Sequence, residues 1–247
     1  MKFKFTIEYD GSSFSGWQKQ NNAKSIQGEL IEAIKAVFTE NKSNDKYIDF
    51  QGSGRTDSGV HAYNQVAHLE CETDLSADKM KFKLNDILPF GINILEIEKA
   101  DDRFHARHSA KSRQYIYKIS KRKNPFERKH SWCIKEKLDI EKMVTASKEL
   151  IGIHDFISFS DKPKEEKSTK VEIENIKIFE TEDFIIIKIK ATHFLWKMVR
   201  RMVGVLAEVG KGKKTQYDIR EYLAAYNHDV SNFTAPASGL FLDKIIY

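Results

Sequence analysis

Gly52-Ser53-Gly54-Arg55-Thr56-Asp57-Ser58-Gly59-Val60-His61 is the stretch whose residue types and spacing best suit chemistry. Three glycines in eight residues allow sharp turns and close approach of backbone to a ligand. Arg55 and Asp57 stand two apart, so in an extended segment both side chains leave the same side. An ionised carboxylate held there can act as a nucleophile or stabilise a developing cation. The same residues also make an ordinary glycine-rich turn tied down by an Arg–Asp link, since turns favour Gly, Ser and Asp for local reasons. Two phosphate-binding readings fail outright. A Walker A loop needs Lys after its last glycine, where Val60 stands, and a G-x-G-x-x-G fingerprint needs glycine where Asp57 stands.

Other candidates are basic and aromatic. Cations cluster at Arg103, Arg107, Lys111 and Arg113, at Lys118, Lys121, Arg122 and Lys123, at Lys197, Arg200 and Arg201, and at Lys211, Lys213 and Lys214. Tyr115, Tyr117, Phe194 and Trp196 lie among them, which suits a surface that holds phosphates and stacks bases; the alternative is a set of solvated faces. Pattern does not choose between Arg200, on one helix face with Trp196 and Gly204, and Arg201, which follows Lys197 at i+4. Trp17 with Phe14 fits either a core or an RNA-facing role. His61 reads as a hydrogen-bonding loop residue.

The elements that must position these residues follow from periodicity. Phe3, Phe5, Ile7 and Tyr9 alternate with polar neighbours as a half-buried strand over 3–9. Ser25 is a good N-cap for a helix whose apolar face is Ile26, Leu30, Ile34 and Val37. Strands over 47–51, 64–71 and 92–98 and a helix from Ser76 to about Leu88 give β-α-β-β-α-β, the order of a ferredoxin-like (RRM-like) unit. The second half varies the theme, with strands at 113–120, 171–179, 184–190 and 240–246 and helices at 139–151, 193–209 and 215–226. The fold class is therefore α+β, two ferredoxin-like units with antiparallel sheets, divided as 1–105 and 106–247. The junction, DDRFHARHSAKSR, is charged and carries no Pro/Gly/Ser linker, which predicts a continuous sheet or a tight cleft. Residues 161–170 are the best candidate for a mobile loop.

Composition bounds the rest. With 247 residues, 40% hydrophobic and only 4 Pro, the chain is long enough to bury a real core, and nothing suggests disorder or a fibrous repeat. Lys and Arg number 41 against 36 Asp and Glu, a formal charge of +5 compatible with a phosphate-rich partner. Cys71 and Cys133 have no metal-ligand or disulfide spacing. The chain opens on a strand pattern rather than a signal peptide, and no window approaches the roughly 20 apolar residues of a membrane span. A cytoplasmic location is expected.

Beyond the loop, Tyr9-Asp10-Gly11, Phe14-Ser15-Gly16-Trp17-Gln18 and GRTDSGVHA resemble the opening of the TruA family of pseudouridine synthases. The resemblance continues in order through FHARHSAKSRQYIYKI, HDFISFS, FLWKMVRRMVGVLAEVGKGK and APASGLFLDKIIY, covering nearly the whole chain. GRTDxGVHA together with MVRxxVG is highly specific; any single block is weak. The family implies a pseudouridine synthase fold with a central RNA-binding cleft. It maps the nucleophile to Asp57, an RNA-contacting arginine to Arg55, an active-site tyrosine to Tyr115, a basic partner of the carboxylate to Arg200, and a pocket-wall leucine to Leu240. It also implies a tRNA substrate modified in the anticodon stem-loop at positions 38 to 40, a homodimer, and no metal or organic cofactor. Ser58 departs from the Ala common at that place and adds a hydroxyl beside the nucleophile. Two other readings remain open. One is a noncatalytic ferredoxin-like RNA-binding module. The other is a glycoside- or nucleoside-hydrolysing enzyme, which would want a second acid at a defined separation.

Overall fold

Phe3, Phe5, Ile7 and Tyr9 form the buried face of β1 (Lys2–Tyr9). Ser25 caps α1 (Ile26–Glu40), its hydroxyl accepting from the Gly28 N–H, and Ile26, Leu30, Ile34, Val37 and Phe38 line the buried side. β2 (Lys46–Gly52), β3 (His61–Glu72), α2 (Ala77–Ile87, capped by Ser76) and β4 (Ile92–Ala100) follow. β1 pairs antiparallel with both β3 and β4, and β2 pairs antiparallel with β3, so the strands lie in the order β4-β1-β3-β2. Phe5 stands opposite Ala67 and Ile97 and meets Phe50 edge-on with ring centroids 5.4 Å apart.

These elements belong to the first of two units in the computed structural model, which describes residues 1–41, 45–161 and 168–247. That unit comprises Met1–Lys111 and Leu242–Tyr247; the second comprises Ser112–Phe241. The second unit contains β5 (Ser112–Ser120), β6 (Trp132–Cys133), α3 (Ile140–Ser147), β7 (Gly152–Asp155), β8 (Lys170–Glu180), β9 (Phe184–Ala191), α4 (Met198–Gly210) and α5 (Gln216–Ala224). Its strands run antiparallel in the order β5-β9-β8-β7, and the short β6 lies parallel to the end of β5. Val171, Ile173, Ile185, Ile187 and Ile189 are buried in its core, as are Met198, Met202, Val205 and Leu206 of α4. β10 (Leu240–Ile246) begins in the second unit and from Leu242 belongs to the first, where the Asp243 carbonyl accepts from Asn64 Nδ2 at 2.9 Å. Mixed α/β architecture with mostly antiparallel strands is the result. Among the described residues, no helix is long and apolar enough to cross a membrane.

Three details depart from periodicity. The helix expected over 193–209 starts only at Met198, because Lys197 takes the left-handed φ of 62° and stops the helix from extending backwards. The helix expected over 139–151 ends at Ser147 and tightens into a 3-10 turn at Lys148–Leu150. β6 and β7, of two and four residues, are too short for alternation to announce them. Of the loop expected at 161–170, residues 162–167 lie outside the described part of the chain.

Candidate active site

β2 ends at Gly52 and β3 starts at His61, so the glycine-framed stretch leaves one strand and returns along its antiparallel neighbour. Burial divides its side chains: Ser53, Thr56 and Val60 are buried, Arg55 is exposed, and Asp57 is half-buried. Thr56 is the pivot. Its Oγ1 lies 2.8 Å from the Tyr9 hydroxyl in a buried hydrogen bond, and its carbonyl accepts from the Trp17 N–H at 3.0 Å. Gly16, at φ +96°, passes so close that a Cβ there would stand 2.6 Å from the Thr56 carbonyl oxygen. Only glycine satisfies both demands. On the other flank, Gln65 Oε1 accepts from Ser53 Oγ at 2.7 Å and Gln65 Nε2 donates to the Gly54 carbonyl at 3.1 Å. The Val60 N–H donates to the Asp57 carbonyl at 3.1 Å, closing a turn that begins at Asp57.

Burial drives the Tyr9 phenol well above its ordinary pKa, opposed by hydrogen bonds to Thr56 and Gln65. The phenol therefore stays neutral, and uncharged groups fasten the loop from beneath. Trp17 is buried against Phe50 and Tyr9, with ring centroids at 6.4 and 6.1 Å, so it is core under the loop. His61 is buried and its Nδ1 accepts from the Gly11 N–H at 3.1 Å, a loop hydrogen bond.

Arg55 and Asp57 belong to the first unit, whereas Tyr115, Arg200 and Leu240 belong to the second. Tyr115 is half-buried on β5 and meets Phe194 edge-on at 5.1 Å. Two residues along, Tyr117 is fully buried and its hydroxyl donates to the Pro236 carbonyl at 2.8 Å. One residue earlier in that segment, the Ala235 carbonyl accepts from Arg200 Nε at 2.7 Å, while the Ala235 N–H donates to the Arg200 carbonyl at 3.1 Å. Residues 235–236 thus tie α4 to β5, then lead through a 3-10 turn at Ala237–Gly239 to the buried Leu240. α4 admits this segment because residue 204 is glycine; a Cβ there would stand 1.4 Å from the Phe233 carbonyl oxygen.

The two arginines that spacing left equivalent have different surroundings. Arg201 is 5% exposed and pairs through Nη2 with Asp161, whose other oxygen lies 2.8 Å from Lys197 Nζ. Burial raises the Asp161 pKa, but the Lys197 hydrogen bond and the Arg201 charge outweigh it and hold the carboxyl below the usual range. Arg200 is half-buried, with Nε bonded to a backbone carbonyl. Arg201 therefore fastens the start of α4, and Arg200 is directed by a neutral acceptor.

Thr56 and Ala235 lie within the GRTDSGVHA and APASGLFLDKIIY blocks, but no pattern marked them, or Gln65, as supports. Tyr9 reads as the last core position of an alternating strand, and Gln65 as a polar residue in another; neither pattern reveals a hydrogen bond to a loop residue far along the chain.

The family described as tRNA pseudouridine synthase matches residues 6–109 and 146–247. Among curated relatives, "tRNA pseudouridine synthase A 2" of Bacillus anthracis is 40% identical over 246 residues, 98% of this chain and 98% of that protein. "tRNA pseudouridine synthase A" of Thermoanaerobacter sp. (strain X514) is 40% identical over 243 residues, 98% and 97% of the two chains. The protein of the same name from Ehrlichia ruminantium (strain Gardel) is 40% identical over 251 residues and covers all of both.

Proposed function

The chain belongs to the tRNA pseudouridine synthase family, isomerases that convert uridine to pseudouridine in tRNA, and we propose that Asp57 is its nucleophile. The observation that carries this reading is the loop's construction: buried neighbours at 53, 56 and 60 anchor it, while Arg55 and Asp57 are left outside the core.

The reaction breaks the N1–C1′ bond, turns the uracil, and joins C1′ to C5; the C5 proton leaves and N1 gains one. A carboxylate at the sugar or the base stabilises the separated fragments. Arg200 keeps that carboxylate ionised and aimed. Extruding the uridine costs a few kcal/mol. Tyr115 stacking on the base returns roughly 1–3 kcal/mol of it. Leu240 walls the base pocket, and Arg55 holds the displaced nucleotide or its phosphate. In this reading the domain 1–105 supplies Asp57 and Arg55, and the domain 106–247 supplies the other three. Each is a ferredoxin-like unit. The β4-β1-β3-β2 antiparallel order supports this for the first, and the β5-α3-β8-β9 succession supports a variant of it for the second. The substrate is the anticodon stem-loop at positions 38 to 40, read by shape and backbone. The working form is a cytoplasmic homodimer that needs no metal or organic cofactor.

Tritium release from tRNA transcribed with [5-³H]uridine tests the assignment. Wild type releases tritium, and Asp57→Asn loses at least about a thousandfold in rate while still binding tRNA. Release by the variant at the wild-type rate would remove Asp57 from the chemistry.

A further inference from the structure

The loop between β5 and β6 holds cations of two kinds. Lys121 Nζ lies 3.0 Å from the Glu180 carboxylate, and Arg122 grips the Asp183 carboxylate through Nε at 2.8 Å and Nη2 at 3.3 Å. The Lys121 N–H also donates to the Asp183 carbonyl at 2.9 Å. These two side chains fasten the loop to the β8–β9 turn. Lys123 and Arg128 are exposed and have no ion-pair partner among the described residues, and Lys129 is exposed beside them. One acid, Glu127, stands in their midst.

The backbone between these cations is ordered by its own bonds. Asn124 Oδ1 accepts from the Phe126 N–H at 3.0 Å and the Glu127 N–H at 3.4 Å. The Glu127 carbonyl accepts from the His130 N–H and the Ser131 hydroxyl, both at 2.9 Å. Trp132 then anchors the far end, edge-on to the buried Tyr117 at 6.3 Å. What this architecture holds out is Phe126, 91% exposed. A phenyl ring in water, flanked in sequence by Lys123 and Arg128, contributes nothing to the core and matches a polyanion that offers flat aromatic faces.

We propose that residues 121–130 form a further tRNA contact, in which Phe126 stacks on an unpaired base and Lys123 and Arg128 hold flanking phosphates. This rests on the tRNA-modifying reading above.

The test measures dissociation constants for an unmodified tRNA transcript across a salt series, together with tritium-release kinetics, on the full chain. Phe126→Ala is expected to weaken binding and raise KM about tenfold, with kcat at saturating tRNA unchanged. Phe126→Trp is expected to restore both, and the melting temperature should not move in either variant. Lys123→Ala with Arg128→Ala should lower the slope of log affinity against log salt by about 1–2. Affinity and slope unchanged in every variant would overturn the proposal. So would a Phe126→Ala protein that sediments as a smaller assembly with tRNA affinity intact, since the ring would then face a second copy of the chain. A wild type that binds tRNA but releases no tritium would sink the synthase reading, and the affinity comparison would still decide the role of the loop.

Discussion

The loop before β3 and the start of α4 each hold a charged side chain in place, and they do so by opposite means. Beneath Asp57 the fastenings are neutral: a phenol, a threonine hydroxyl, a glutamine amide and backbone groups, most of them buried. At α4 the fastening is ionic, a buried guanidinium and a lysine converging on Asp161. Neutral bonds are modest singly, each about 0.5–1.5 kcal/mol, but they do not titrate and salt does not screen them. The ionic cluster makes stronger contacts, yet desolvating Arg201 offsets much of that gain. Its Nε is buried with no hydrogen-bond partner among the described residues. The Tyr9, Thr56 and Gln65 bonds beneath Asp57 are thus indifferent to pH and salt, whereas the start of the helix bearing Arg200 depends on one ionised carboxylate.

The largest effect that could break this comparison comes from the adjacent arginines. Arg200→Met is expected to cut kcat for tritium release about a hundredfold, the scale of losing one charge-stabilising group, with little change in melting temperature. Arg201→Met leaves Asp161 with Lys197 alone among the described residues, and stability is expected to fall by about 2–3 kcal/mol. Activity per folded molecule should stay near wild type. Thermal melts and single-turnover rates on both variants decide the matter. Equal losses in both columns would mean that the two side chains share one role.

How much of this was readable beforehand depended on the range of the interaction involved. Alternation at Phe3, Phe5, Ile7 and Tyr9 and the cap-plus-stripe at Ser25 gave β1 and α1 nearly to the residue, because burial and capping act within a few positions. The start of α4 lies five residues later than periodicity predicts, since no local pattern encodes the left-handed turn at Lys197 or its side-chain pairing with Asp161, 36 positions earlier. The same cause left Arg200 and Arg201 indistinguishable by spacing. Motif resemblance selected Arg200, and the pairing of Arg201 with Asp161 explains physically how the two differ. The glycine-framed loop was conspicuous in the sequence, but its fastening to Tyr9 and Gln65 was not, because those contacts run between strands.

A smaller effect sharpens the neutral half. Thr56→Val removes the hydroxyl that meets Tyr9. Gln65 also reaches the phenol, so the expected cost is about 1 kcal/mol, the low end for a disturbed buried hydrogen bond. The rate is expected to fall about tenfold, because a loop freed by a fraction of an ångström presents Asp57 less often in the reactive direction. Thr56→Ser should recover both. If Tyr9→Phe and Thr56→Val combined cost no more than either alone, the two hydroxyls act as one unit. Fully additive losses would show that the loop is held elsewhere.

The smallest effect concerns pH, and here the two supports should part. Asp161 has a folded pKa below its ordinary 3.8, so its contribution to stability is complete above that value and disappears as pH falls through the lower, folded one. At pH 7 Asp161→Asn is expected to be less stable than wild type by about 1–2 kcal/mol. The gap should hold down to about pH 4 and close below it, because wild type then carries an uncharged Asp161 as well. Other acids titrate in the same window, among them Asp218 beside Lys214 and Glu70 beside Lys2, so only the difference between the two proteins isolates this site. Trp196 supplies a local reporter, since Lys197 Nζ lies 4.5 Å from its ring centroid while bridging to Asp161. Its fluorescence should change in wild type over the closing window and stay flat in Asp161→Asn. Thr56→Val should show a stability gap independent of pH throughout, because nothing in the Tyr9 network ionises there. A gap for Thr56→Val that also closed in acid would mean that the loop leans on a charge, and the contrast between the two supports would fail.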